Sequence, residues 1–135
     1  MEQLIIEETE FTPKISLDPE KHIFELEGVS RPEDVMGFYN PIIKWLIEYD
    51  DEVLSHSDAK YNINEIRVII KLSYFNSASS KSLLQILEIF QRIHVKGFNV
   101  NIDFYYDEGD DQMREDGEDL ADVVDMQFNF LPLEE

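Results

Sequence analysis

The stretch from residue 65 to residue 106 constrains the fold more than any other part of the chain. It begins with a run dense in Ile and Val, which is typical of a strand buried on both faces. An amphipathic helical pattern follows, and Lys96-Gly97 ends it with a cation and then a C-terminal glycine. A second strand pattern occupies residues 98–106. Strand, helix and strand in this order predict a right-handed parallel crossover.

Two strands joined by a tight turn are predicted before this unit, over residues 9–17 and 21–29. The second strand alternates in hydrophobicity, with Phe24 and Leu26 on the face that we expect to be buried. The sequence DPEK between the two strands carries Asp and Pro, which favour turns. An antiparallel hairpin is therefore predicted here.

A helix is predicted to begin at Ser30, because Ser30 and Glu33 form a Ser-x-x-Glu capping box and Pro32 suits the first helical position. Apolar side chains then recur at steps of three and four, which places them on one helical face: Val35, Tyr39, Ile42, Leu46, Tyr49 and Val53. Pro41 lies inside this pattern and should kink or split the helix, because it has no N–H to donate. The polar residues 55–62 indicate a loop.

The end of the chain is strongly acidic. Residues 107–125 carry ten acidic side chains against the single Arg114, yet a weak apolar stripe favours a short third helix. Residues 126–131 are typical of a final strand. Taken together, the elements predict one α/β domain over residues 1–135, with a mixed sheet, an N-terminal antiparallel hairpin, a βαβ crossover and helices mainly on one face.

The charge balance restricts the classes of partner. Eleven Lys and Arg against 30 Asp and Glu give a net charge of −19, which repels nucleic acid and anionic membrane surfaces and attracts basic protein surfaces. No run approaches the ~20 apolar residues of a membrane span, and the N-terminus has no secretory pattern. With no cysteine, thiol chemistry is excluded. We therefore expect a cytoplasmic protein.

Patterns typical of catalytic or metal sites are weak. The histidines, His22, His56 and His94, have no HExxH-like spacing. The acidic run at residues 107–111 does not match a calcium-binding loop, and no glycine-rich phosphate loop occurs. We therefore predict no catalytic residue, no metal and no cofactor.

The sequence YFNSASSK at residues 74–81 is rich in hydroxyls where the first strand of the crossover ends and a helix over residues 79–96 is predicted. Oxygen atoms of Ser77, Ser79 and Ser80 can cap the N–H groups of a first helical turn. A phosphate also suits this position, because a helix N-terminus carries partial positive charge. The local pattern by itself favours helix capping over a phosphorylated serine.

Three segments extend this observation across the chain: SRPEDVMGFYNPIIKWLIEY at 30–49, LSYFNSASSKSLLQIL at 72–87, and NVNIDFYYDEGDDQMREDGEDLADVV at 99–124. In this order they resemble the SiaC-type bacterial regulatory phosphoproteins, a family of small domains with a likeness to the STAS fold of anti-sigma-factor antagonists. The resemblance runs from Phe11 to Leu131, and its most specific part is the Tyr-Phe-Asn-hydroxyl segment. It implies a STAS-like α/β domain.

The resemblance also implies a function. The phosphorylated residue of the family is usually a Thr directly after the Asn, which corresponds to Ser77, with Asn76 and Lys81 as supporting residues of the junction. The family commonly has Ser where this chain has Ala78, and the nearby Ser79 and Ser80 remain alternative acceptors. The implied role is a non-enzymatic switch in biofilm and cyclic di-GMP signalling. Its expected partners are a Ser/Thr kinase, a PP2C-like phosphatase and a diguanylate cyclase bound by the unphosphorylated form.

Two alternatives from other classes stay open. One is a small acidic enzyme that uses Asp or Glu with His94 or His56. The other is an acidic protein-binding domain without regulation. Phosphate uptake at the junction distinguishes the switch from both.

Overall fold

The computed structural model describes residues 1–133, which form one six-stranded mixed sheet with helices against one face. The strands are β1 (Leu4–Ile6), β2 (Lys14–Asp18), β3 (Ile23–Ser30), β4 (Ile66–Phe75), β5 (Val100–Asp107) and β6 (Asn129–Leu133). The helices are α1 (Val35–Glu52), α2 (Ala59–Asn62), α3 (Ser77–Val95) and α4 (Asp111–Val124). Over the described residues, none of these helices has the length and apolar character needed to cross a bilayer.

The strands lie in the sheet in the order in which they occur along the chain. β1, β2 and β3 pair antiparallel, whereas β3, β4, β5 and β6 pair parallel. The predicted mixed sheet, N-terminal hairpin and parallel βαβ unit are confirmed. Because four parallel strands run side by side, their carboxyl ends, and the loops that follow them, meet at one edge of the sheet.

The hairpin is made by β2 and β3, which are shorter than predicted, and β1 adds an edge strand that the sequence did not indicate. In the turn, Asp18 Oδ1 accepts hydrogen bonds from the N–H groups of Glu20 at 2.9 Å and Lys21 at 3.0 Å. Phe24 and Leu26 face the core as predicted. The turn chemistry and the alternation thus act together to set the register.

Burial alternates along β4, so the prediction of a strand buried on both faces is wrong. The residues facing the helices are fully or almost fully buried: Ile66, Val68, Ile70 and Leu72. On the other face, Arg67, Ile69 and Lys71 are only half-buried. The apolar run misled the prediction because Ile69 lies on the open face.

A polar network holds that open face together. Asp103 of β5 keeps only 7% of its side chain exposed, and its Oδ2 lies 2.5 Å from Nη1 of Arg67 on β4. Its Oδ1 accepts a hydrogen bond of 2.9 Å from Asn129 of β6. A buried carboxylate is costly unless it is paired, so this arrangement ties three neighbouring strands together.

The start of α1 differs from the prediction. The helix begins at Val35, and Asp34 caps it by accepting a 3.0 Å hydrogen bond from the N–H of Gly37. Ser30 is instead the buried last residue of β3, so the predicted capping box is wrong. The helix continues through Pro41 to Glu52 as one element and is not split.

Helix α4 confirms the predicted acidic helix, and it lies close against β5. A Cβ atom on Gly117 would come within 2.6 Å of the ring of Phe104. Glycine is therefore required for this approach, although it lowers helix propensity. The short α2 occurs within residues that were predicted as a loop.

The hairpin also contains a histidine whose environment predicts a pH dependence. His22 has φ of 58°, and its Nδ1 lies 2.6 Å from the hydroxyl of Tyr49. Burial lowers the pKa of His22, although Asp18 partly opposes this effect. The unfolded chain therefore takes up a proton at a higher pH than the folded chain, near the ordinary pKa of about 6.5. The free energy of unfolding should then fall as the pH drops through this range to the lower folded pKa.

The matched control for this prediction is His22→Asn, because asparagine tolerates the left-handed backbone and does not titrate. Urea unfolding of both proteins between pH 7.5 and pH 5 measures the difference. We expect the wild type to lose more stability than His22→Asn over this interval. Parallel curves for the two proteins would contradict the role of His22.

Candidate functional site

The junction between β4 and α3 is closed by an asparagine. Asn76 is the N-cap of α3, and its Oδ1 accepts a 2.8 Å hydrogen bond from the N–H of Ser79. Its carbonyl oxygen accepts the first helical bond, from the N–H of Ser80 at 3.1 Å. The helix therefore begins two residues earlier than predicted, because Asn76 takes the capping role that the pattern gave to serine.

The three serines of the junction lie in different environments. Ser77 is the first residue of α3 and is exposed. Ser79 is 0% exposed, and Ser80 is half-buried and donates to the carbonyl of Ser77 at 2.7 Å. Lys81 is exposed and lies four residues after Ser77, which places the two side chains on the same side of the helix. Of the three hydroxyls, that of Ser77 is the most accessible from solution.

Beneath the junction, the hydroxyl of Ser30 lies within hydrogen-bond distance of two others, those of Tyr39 and Ser79. Ser30 Oγ is 2.5 Å from Tyr39 Oη and donates to Ser79 Oγ at 2.9 Å. Burial raises the pKa of the Tyr39 phenol, although the neighbouring hydroxyls of Ser30 and Ser79 oppose the increase. Sequence reasoning missed this cluster. Ser30 was interpreted as a helix cap and Tyr39 as an ordinary core residue, and no local signal connects them.

The exposed side of the junction forms one wall of an open groove of about 310 Å³ between α3 and α4. Its lining residues are Phe75, Asn76, Ser77, Ser80, Leu84, Asp116, Asp119, Leu120 and Val123. The apolar members form much of the surface, and Val123 is 65% exposed. The groove therefore offers an apolar surface with two carboxylates and the Ser77 hydroxyl beside it.

Two electrostatic effects oppose each other at Ser77. The N-terminus of α3 favours a negative charge there, because the helix dipole is positive at this end. The carboxylates of Asp116 and Asp119 line the same groove and disfavour it. Within residues 1–133, no Lys or Arg lines this groove. A phosphate on Ser77 would therefore change the local potential strongly.

The histidines of the alternative enzyme hypothesis lie elsewhere. His22 and His56 line a shallow groove with Glu20 and Asp58, whereas His94 lies near the end of α3 with its Nδ1 3.2 Å from the carbonyl of Phe98. None of the salt bridges within residues 1–133 includes a histidine. In the same part of the chain, no three His, Asp or Glu side chains are grouped to hold a metal ion.

Two solved structures from Pseudomonas aeruginosa have the same fold. The crystal structure of apo-SiaC gives a TM-score of 0.82 at 22% identity and covers 97% of this chain and 99% of that chain. A chain in the crystal structure of the diguanylate cyclase SiaD in complex with its activator SiaC gives 0.79 at 23% identity, with 98% and 99% covered. At this level of identity, the likeness establishes the fold, including the predicted α/β architecture.

Sequence comparisons give the family. An uncharacterized protein of Pseudomonas aeruginosa (strain UCBPP-PA14) is 25% identical over 128 residues, which are 95% of this chain and 94% of that protein. The family model described as SiaC family regulatory phosphoprotein matches residues 6–133. Since that match spans nearly the whole chain, the chain belongs to the SiaC family of regulatory phosphoproteins.

Proposed function

We propose that this chain is a non-enzymatic signalling switch in which Ser77 is reversibly phosphorylated and the unphosphorylated form binds and regulates a partner protein. The observation that carries the proposal is the position of Ser77, which is exposed on the first turn of α3 beside the groove against α4. Membership of a family of regulatory phosphoproteins supports it. In this proposal, residues 1–135 act as a single regulatory domain in the cytoplasm.

Burial supports Ser77 over the alternative acceptors. A kinase must reach the hydroxyl, and the Ser79 hydroxyl lies in the core between β3 and α3. Ser80 is half-buried, and its Oγ donates its proton to the carbonyl of Ser77, so this hydroxyl is tied to the main chain of the helix. Ser77 needs no unfolding of α3 to be reached.

The switch follows from the charge that a phosphate adds. A phosphoserine brings roughly −1.5 to −2 charges and three acceptor oxygens. On Ser77 this charge would stand at the groove that already contains Asp116 and Asp119. A partner that packs over the apolar groove would have to desolvate the phosphate, which costs several kcal/mol unless the partner supplies a cation. Phosphorylation therefore weakens binding of an apolar partner surface.

Lys81 gives the phosphate one neighbouring cation within the domain itself. In a helix, side chains at positions i and i+4 are neighbours, and Ser77 and Lys81 have this spacing. With the helix N-terminus, Lys81 makes the phosphorylated form tolerable to the fold. Asn76 keeps the first turn capped in both forms.

The proposed partner is a diguanylate cyclase, because SiaC of Pseudomonas aeruginosa is the activator of the diguanylate cyclase SiaD. A Ser/Thr kinase and a PP2C-like phosphatase would set the fraction of phosphorylated protein. The output would then be cyclic di-GMP signalling of the kind that controls biofilms. The proposal of these partners is based on the family resemblance and on SiaC of Pseudomonas aeruginosa.

The acceptor is tested by intact-mass analysis of the protein purified from its native cells. We expect a population of the wild type to be heavier by one phosphate, and we expect this population to disappear in Ser77→Ala. The matched control is Ser80→Ala, which should keep the phosphate. A full phosphate on Ser77→Ala would identify Ser79 or Ser80 as the acceptor. A phosphate on the variant in which Ser77, Ser79 and Ser80 are all alanine would show that the acceptor lies outside this junction.

A further inference from the structure

Three buried hydroxyls connect three secondary-structure elements beneath Ser77. Ser30 ends β3, Tyr39 lies in α1 and Ser79 lies in the first turn of α3, and all three residues are fully buried. Their separations are 2.5 Å from Tyr39 Oη to Ser30 Oγ and 2.9 Å from Ser30 Oγ to Ser79 Oγ. We refer to Ser30, Tyr39 and Ser79 as the hydroxyl cluster.

The direction of each hydrogen bond in the cluster is fixed by counting protons. Ser79 Oγ donates to the carbonyl oxygen of Ser30 at 3.2 Å, and Ser30 Oγ donates to Ser79 Oγ. A hydroxyl has one proton, so neither serine has another to give. Tyr39 must therefore be the donor to Ser30 Oγ. The cluster is a one-way chain that starts at Tyr39 and ends at the main chain of β3.

The same carbonyl also holds the main chain of the junction. The oxygen of Ser30 accepts from the N–H of Asn76 at 3.1 Å as well as from Ser79 Oγ. Asn76 in turn caps the N–H of Ser79 through its side chain. The start of α3 is thus attached to the end of β3 by one main-chain bond, from Asn76, and by two bonds between Ser30 and Ser79 that involve side chains.

We propose that Tyr39 is a positioning residue for the phosphoacceptor, because its hydroxyl orders the first turn of α3, on which Ser77 stands, through Ser30 and Ser79. That Ser77 accepts the phosphate rests on the function proposed above. Tyr39 itself is fully buried in α1 and does not reach Ser77 directly. Its effect passes to the junction through Ser30 Oγ and Ser79 Oγ.

In a purely structural alternative, the ring of Tyr39 fills space in the core, and the hydrogen bond of its hydroxyl has no effect on the order of the first turn of α3. The chain offers a matched control for this alternative. Tyr49 is also fully buried in α1, and its hydroxyl also has a hydrogen-bonding partner, Nδ1 of His22 at 2.6 Å. That partner lies on the hairpin and not on α3. Loss of a buried tyrosine hydroxyl can therefore be compared at two places in one helix.

The test is amide hydrogen exchange of the unphosphorylated protein, measured by NMR for wild type, Tyr39→Phe and Tyr49→Phe. The reporting amides are those of Asn76, Ser79 and Ser80, whose acceptors lie in the junction and in Ser30. We expect Tyr39→Phe to accelerate their exchange about three- to tenfold. This range follows if the loss of one hydrogen bond makes local opening of the first turn of α3 correspondingly more favourable. Tyr49→Phe should leave the same amides within about twofold of wild type.

A second variant tests the same chain of hydrogen bonds at a different residue. Ser79→Ala breaks the chain at its other end and should accelerate exchange at the N–H of Asn76 by a similar factor. Unchanged exchange in Tyr39→Phe, or an equal acceleration in Tyr39→Phe and Tyr49→Phe, would overturn the proposal. Because no kinase or cyclase is present in this measurement, its outcome is independent of the test of Ser77 as acceptor.

Discussion

Replacing Phe24 with alanine should lower the free energy of unfolding by about 3–5 kcal/mol, the usual cost of removing a buried phenylalanine. Phe24 is 0% exposed and joins the hairpin to both long helices. Its ring centroid lies 4.9 Å from that of Tyr49, 5.3 Å from that of Phe90 and 6.0 Å from that of Trp45. A domain of this size has a stability of roughly 5–15 kcal/mol, so the variant loses a large part of it.

The control for this prediction is the neighbouring residue of the same strand. Ile23 is 38% exposed and faces away from the helices. Ile23→Ala should therefore cost less than about 1 kcal/mol, as is usual for exposed positions. Urea unfolding followed by circular dichroism measures both variants. Equal losses for Phe24→Ala and Ile23→Ala would show that the sheet does not bury one face only.

The fold was largely predictable because several local signals agree. Each of these signals strongly favours one local conformation: the alternation around Phe24 and Leu26, the turn at Asp18, and the glycine after Lys96. The order of the six strands follows from the same elements, because each parallel strand is linked to its neighbour by a helix. Strand β1 was missed because three residues are too few to show a period.

The errors have a common physical cause, which is tertiary contact between residues distant in sequence. Ser30 and Glu33 match a capping box, yet the Ser30 hydroxyl bonds to Tyr39 and to Ser79, 49 residues later. Ile69 belongs to an apolar run, yet its face of the sheet carries the Asp103 network. Propensity describes neighbours in sequence, so it cannot report partners that only the fold brings together.

The candidate site was predictable in position but not in detail. The hydroxyl-rich junction was located within two residues, because a strand pattern ends and a helical pattern begins there. The burial of Ser79 could have been inferred from the helical period, because the buried Leu83 and Phe90 follow it on the same face after four and eleven residues. The carboxylates of Asp116 and Asp119 enter the same groove only because α4 packs beside α3.

Charge at residue 77 should control partner binding. We expect Ser77→Ala to bind the diguanylate cyclase of the same cell within about twofold of the unphosphorylated wild type, because a lost hydroxyl adds no charge to the groove. Ser77→Asp should bind about tenfold more weakly, which corresponds to about 1.4 kcal/mol. One carboxylate carries less charge and fewer acceptors than a phosphate, so the phosphorylated wild type should bind more weakly still. Calorimetric titration of each protein with the purified cyclase measures these affinities.

The comparison separates interface charge from helix stability. An aspartate in the first turn of α3 interacts favourably with the helix dipole. If helix stability alone decided partner binding, Ser77→Asp would bind the cyclase as tightly as Ser77→Ala or more tightly. The control for added charge is Ser57→Asp, in the exposed loop between α1 and α2 at the other edge of the sheet. It should keep wild-type affinity. An equal loss in Ser57→Asp would point to general repulsion by an acidic protein, and full binding by Ser77→Asp would place the cyclase away from the groove between α3 and α4.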